Sequence, residues 1–178
     1  MTVSPVTRPG ADEFAAFYAG YVSRVPDLGD ARRTLLDQGE ALAATCSAIN
    51  DDRAAYRYQS DKWSIKELLG HMSDAERIFA YRLLRIARGD ETPLAGFEEN
   101  AYVRAAGADS RTIADLVDEW RSVRQATVTL VASLRDDTAT LRGTMNGNPT
   151  TAGALAYIIV GHVDHHLDVL HARYGVGA

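Results

Sequence analysis

The sequence predicts an all-α protein, a four-helix bundle with a short extra N-terminal helix and a long crossover connection. Apolar residues recur at helical spacing in four long segments, helix start and stop signals bracket those segments, and no run reads as a buried strand. Residues 1–178 are expected to form one domain with its core over about 30–174, long enough to bury a full apolar interior without disulfides.

In chain order, Phe14, Phe17, Tyr18, Tyr21, Val22 and Val25 have helical spacing, which predicts a short helix over 12–25 ended by Pro26. Asp27-Leu28-Gly29-Asp30 is a turn with Asp30 as N-cap. The helix that follows carries Leu35, Leu42, Cys46 and Ile49 on one stripe. Residues 50–62 read as a polar, extended connection. Ser64-Ile65-Lys66-Glu67 is a capping box, and Trp63 with Leu68 has the spacing of a hydrophobic staple. The helix they open runs over 64–88 and stops at Gly89. Between Gly89 and Ser110 lies a connection longer than neighbouring antiparallel helices need. It either covers a site with Phe97, Glu98, Glu99, Asn100 and Tyr102, or is a partly helical crossover without chemistry. A third long helix spans 112–134. Asn146-Gly147-Asn148-Pro149 is turn chemistry, and Thr150 or Thr151 caps the last helix, over 151–173.

The last helix holds His162, His165, His166 and His171 of the five histidines. At ~100° per residue, Leu155, Ile158, His166 and Val169 all fall within ~40° of His162. The pair therefore points into the core-facing stripe, where an imidazole needs a partner. His165 lies at the border of that stripe and His171 on the far side. His71, one turn from Leu68 and Ala75, also looks inward. An i,i+4 histidine pair or a lone inward histidine can be ordinary core or surface chemistry. It can equally be a ligand set, because bundles build metal sites from inward side chains on facing helices.

Composition narrows the partners. A net charge of −5 without a basic patch argues against nucleic acid. One cysteine, Cys46, excludes an internal disulfide and reads as a core residue. With no apolar N-terminal run and no long apolar stretch, neither a signal peptide nor a membrane span is expected, and a cytoplasmic location is the default.

Three motifs in order resemble those of the DinB-like/YfiT-like superfamily of metal-dependent four-helix-bundle proteins. They are Lys62-Trp63-Ser64-Ile65-Lys66-Glu67-Leu68-Leu69-Gly70-His71 with Asp74-Ala75-Glu76-Arg77, then Pro93-Leu94-Ala95-Gly96-Phe97-Glu98-Glu99-Asn100, then Tyr157-Ile158-Ile159-Val160-Gly161-His162-Val163-Asp164-His165-His166. The resemblance implies one divalent metal ion held by three histidines, which fall here on His71, His162 and His166. Among relatives it implies thiol-dependent transferases or isomerases using mycothiol, bacillithiol or glutathione, and proposed hydrolases. A small-molecule substrate, a low-molecular-weight thiol and either a monomer or a homodimer are compatible with it, and the motifs choose no reaction.

Three imidazoles leave the ion its full charge and an open position. Zinc is the first expectation, with nickel, iron or manganese also acceptable. The glutamate of an HExxH helix is missing, since Val163 follows His162, and Asp164 projects elsewhere. Glu98, Glu99 and His165 are the remaining candidates for a base, and Asp74 could orient an imidazole or be a surface acid. The function classes are a metal-dependent transferase or hydrolase of a small molecule, a non-catalytic metal- or ligand-binding module, and a carboxylate-bridged di-iron bundle. The last wants Glu-x-x-His pairs, and the chain has none.

Overall fold

The computed structural model describes residues 6–177. In chain order these form α1 (Ala19–Arg24), α2 (Ala31–Ser47), α3 (Asp51–Ala54), α4 (Ile65–Ala87), α5 (Glu99–Ala106), α6 (Ile113–Ala132), strands β1 (Arg142–Met145) and β2 (Asn148–Thr151), and α7 (Ala152–Val169), which continues into a π-helical turn over Leu170–Tyr174. The long helices are α2, α4, α6 and α7. Each opens on a side chain that accepts from its first turn: Asp30 from Arg33 N, Ser64 from Glu67 N, Thr112 from Asp115 N and Thr151 from Ala154 N. Such a cap stabilises its helix by about 1 kcal/mol. At Ser64 the box is closed, because Glu67 Oε2 also accepts from Ser64 N at 2.9 Å. Gly89, at φ +74°, stops the chain just beyond α4.

Around the bundle α2 packs on α6, α6 on α4, α4 on α7, and α7 back on α2. Of the three links between successive long helices, only α4 to α6 joins neighbours in that ring. The steps from α2 to α4 and from α6 to α7 cross the bundle end, whereas the connection from α4 to α6, although longer, joins neighbours. Helix α7 is buried on every face from Ala152 to Val163. It is wrapped by α2 and α4, with α1 lying against it as well. An all-round apolar helix belongs in the centre, so the single inward stripe expected for it is too narrow a description. No helix among the described residues is long and apolar enough to cross a membrane.

The core has two apolar halves. One gathers Leu35, Phe79, Leu83, Val128, Leu155 and Ile159 among others. The other gathers Leu42, Leu69, Met72, Trp120, Val163 and Leu170. A buried polar layer separates them. Arg124 Nη2 donates to Glu76 Oε2 at 3.1 Å, and Arg124 Nη1 to Gln38 Oε1 at 3.2 Å. Gln38 Nε2 donates to Val160 O at 2.9 Å and Asp164 Oδ1 at 2.6 Å. All four long helices meet in this layer.

Three expectations need correction. The N-terminal segment is not one helix over 12–25. It makes 3₁₀ turns at Ala11–Glu13 and Ala16–Tyr18 before α1, with Phe14 extended between them and Phe17 turned outward at 75% exposure. The stretch 50–62 is not extended throughout, because Asn50 caps the single turn α3 by accepting from Arg53 N. The connection from Gly89 to Ser110 is partly helical, as one of its two readings had it, and holds α5, capped by Glu98. Finally, the Asn146-Gly147 turn closes an antiparallel hairpin of β1 and β2, with both turn residues at positive φ. Leu94 extends the hairpin, donating to Thr144 O at 2.8 Å and accepting from Asn146 N at 2.9 Å. That pairing pins the α4–α6 connection beside Phe97.

Candidate metal centre

His71 projects from α4, and His162 and His166 from successive turns of α7. Because α4 and α7 are ring neighbours, the three side chains converge. His71 Nε2 lies 3.2 Å from His162 Nε2, and His166 Nε2 lies 3.1 Å from it. Among the described residues these are the three metal-ligating side chains whose donor atoms all come within 4.8 Å of one another. A tetrahedral ion with nitrogens at ~2.0–2.1 Å holds adjacent nitrogens ~3.3 Å apart. The two edges that meet at His162 Nε2 therefore have the spacing of such a site. Neutral imidazoles this close meet either through a shared proton or through a common cation.

Burial keeps the rings neutral. It lowers the His71 pKa to about 4 and pushes His162 and His166 well below the usual histidine value, with the neighbouring histidines adding to the effect. Unprotonated nitrogens are the form that can hold a cation. Aromatic rings fix the imidazoles: Trp63 packs on His71 at 4.7 Å between centroids, and Tyr21 and Phe79 meet His162 edge-on at 5.4 and 5.6 Å. His166 departs from the usual arrangement for a metal-bound histidine, because its Nδ1 is buried without a hydrogen-bond partner.

Tyr21 reaches His162 because residue 161 is glycine. A Cβ there would sit 2.1 Å from the Tyr21 carbonyl oxygen, so only glycine lets the α1 backbone lie this close to α7. The α1 wall was not legible as part of the site, although Gly161 beside His162 was the available signal. His165 stands outside the trio, half-buried between Tyr21 and His166. His171 is exposed. Asp74 pairs with Arg77 at 3.3 Å and bonds no imidazole, so it is the surface acid. Asp164 turns to Gln38, and Val163 is fully buried. No carboxylate stands among the three donor atoms.

Two cavities reach the cluster along different walls. One, of about 310 Å³, is lined by His71 and His162 together with Tyr18, Tyr21, Arg82 and Phe97. The other, of about 260 Å³, is lined by His165 and His166 together with Tyr58, Trp63, Asn100 and Tyr174. The connection from Gly89 to Ser110 thus walls both, with Phe97 to Glu99 in the first and Asn100 in the second. Tyr102 lies behind, its ring against Phe97 at 5.1 Å.

Fold and cluster together define a class: helical bundles that gather three buried histidines from two adjacent helices. The sequence profile of the DinB superfamily matches residues 34–170, and the chain belongs to that superfamily. The structure is also similar to that of YfiT from Bacillus subtilis, described as a probable metal-dependent hydrolase with an unusual four-helix bundle topology. The two agree with a TM-score of 0.72 over 95% of this chain and 94% of that one, at 14% sequence identity, a likeness of fold. No curated protein matches the sequence.

Proposed function

We propose that the protein is a divalent-metal-dependent enzyme acting on a small molecule, with His71, His162 and His166 as ligands and thiol-dependent transfer as its reaction type. The observation that carries this reading is the convergence of three buried, neutral imidazoles between two cavities, one lined by His71 and His162 and the other by His166. A transferase must bring two molecules to one centre, and two cavities give each a berth. A divalent ion held by the trio supplies Lewis acidity toward a thiol, with zinc the first candidate and nickel, iron or manganese the others.

The chain's own residues favour a thiol over water as nucleophile. Hydrolysis usually wants a proton shuttle beside the attacking group, and here Val163 occupies the place of the glutamate in an HExxH helix. Glu98 is engaged in capping α5, accepting from Asn100 N and Ala101 N. The hydrolase reading rests on Glu99, which lines the first cavity and whose carboxyl is pushed up by burial and by Glu98, as a general base needs.

The test is metal analysis of protein purified without a histidine tag, followed by cobalt substitution and titration with small thiols. One ion per chain and a sulfur-to-cobalt charge-transfer band are expected. A spectrum that oxyanions perturb and thiols do not would replace the transferase by the hydrolase. Protein that takes up no metal would reduce the trio to a hydrogen-bonded cluster.

A further inference from the structure

Arg82 is a buried cation without a counter-ion. The residue is 2% exposed. Its Nη2 donates to Ala95 O at 2.6 Å, and the Tyr18 hydroxyl is its other hydrogen-bonding neighbour. The contrast with Arg124 is direct: that buried guanidinium has Glu76 at 3.1 Å, whereas among the described residues no carboxylate pairs with Arg82. A guanidinium has five N–H donors in a planar fork, and two neutral oxygens satisfy only part of it. Unlike Arg124 Nε, no Arg82 nitrogen is both sealed off and without a partner, so its remaining N–H groups open to the cavity, where a ligand can complete the fork.

Its surroundings say what. Arg82 lines the same cavity as His71 and His162. His71, Ala75, Phe79 and Arg82 follow one another up a single face of α4, so they form one wall with the histidines at one end and the guanidinium at the other. Phe79 stands between, its ring 5.6 Å from that of His162 and 6.0 Å from the Arg82 guanidinium carbon. Phe97 lies 5.9 Å from the same carbon, across from Phe79. A molecule that reaches from the trio to Arg82 therefore passes along aromatic rings and ends on a planar cation. The charge count is also informative. Glu98 and Glu99 stand at the exposed edge of the cavity, and two acids there repel a doubly charged phosphate more than a singly charged carboxylate.

We propose that Arg82 anchors the carboxylate of a small, largely apolar substrate, placing the rest of that substrate along Phe79 toward His71 and His162. A bidentate guanidinium–carboxylate pair is the interaction this fork is shaped for. The assignment rests on the trio as the reaction centre for its functional meaning, but carboxylate binding at Arg82 is a separate property that needs no ion.

The experiment uses phenylacetate as probe, with phenylacetamide as its neutral counterpart and phenylphosphonate as the dianion, titrated calorimetrically into chelator-treated and metal-loaded protein. Phenylacetate is expected to bind both forms at least about tenfold more tightly than phenylacetamide, the lower end for a charge-assisted hydrogen bond. Arg82→Met should abolish that preference and Arg82→Lys should keep part of it. Because Arg82 also holds the Ala95 carbonyl, a variant could misfold; the Arg82 Nε–H NMR resonance of the unaltered protein is therefore followed too, and should shift on adding phenylacetate and not phenylacetamide. Equal binding of the two probes, or an Arg82 resonance that stays still, overturns the proposal. So does a preference that vanishes on chelation and survives Arg82→Met, which would put the carboxylate on the metal. Tighter binding of phenylphosphonate than of phenylacetate overturns the carboxylate assignment. Failure of the protein to bind metal leaves the probe results standing and removes only the catalytic reading.

Discussion

Replacing Arg124 by Met should be among the most destabilising single changes in this chain. The Arg124 and Glu76 side chains are 4% and 1% exposed, so water cannot take over from either. Burial pushes the Glu76 carboxyl up and the Arg124 guanidinium down, and each opposes the effect on the other. Glu76 Oε1 already lacks a partner, so Arg124→Met leaves the buried carboxylate without a counter-charge, with only the Thr127 hydroxyl beside it, and deprives Gln38 Oε1 of its donor. Breaking a buried pair on one side costs ~3–5 kcal/mol. Removing both charges, as in Glu76→Leu with Arg124→Met, should return stability to within ~1 kcal/mol of the original, because well-packed apolar replacements of buried pairs are often neutral or better. Urea unfolding at pH 7 followed by far-ultraviolet circular dichroism measures all three variants. The Arg124→Met deficit should shrink at pH 5, where Glu76, its pKa raised, is more readily protonated in the folded state. An Arg124→Met protein within ~1 kcal/mol of the original, or a double variant as unstable as the two singles combined, would refute the reasoning.

Three further outcomes are expected. Single His71→Ala, His162→Ala and His166→Ala variants should each lose bound metal while His165→Ala and His171→Ala keep it, as read by elemental analysis; full retention in His166→Ala would remove it from the ligand set. Chelation should leave a folded, helical protein, since two apolar core halves remain, and loss of the helical dichroism signal at room temperature would contradict this. In that chelated protein the His71 pKa of about 4, against 6.5 for a free histidine, means the unfolded chain binds a proton the folded one refuses. Stability from this residue is complete above pH 6.5 and falls with pH, by roughly 3 kcal/mol at pH 4. The same slope in His71→Leu would rule out His71 as its source.

Much of the helical fold was readable because helix ends carry their own chemistry. Asp30, Ser64 with Glu67, Thr151 and Gly89 mark boundaries by hydrogen bonds to residues three or four positions away, which a linear reading can see. The hairpin escaped because its strands are four residues each, too short for alternation to register, although Asn146-Gly147 announced the turn. The histidines were legible in part: spacing placed His162 and His166 on one face and turned His71 inward. That His71 meets them across 91 residues depends on α4 lying beside α7, which no local pattern encodes. Arg82 and Arg124 were passed over because arginine is read as solvent-facing by type. Both stand at helical spacing from buried aromatics, Phe79 and Trp120, and that conflict between residue type and face was the available clue.

The helix that α1, α2 and α4 wrap is the last of the four to leave the ribosome. Helices α4 and α6, neighbours in both sequence and space, can pair as soon as both exist, and α2 can add to α6 without further chain. The central slot stays open until α7 arrives to fill it. His71 therefore waits alone through most of synthesis, and its two companions reach it only in the final docking step. Under the proposed ligand assignment, metal capture by the complete trio is thus a late event, available to the finished bundle and denied to its precursors.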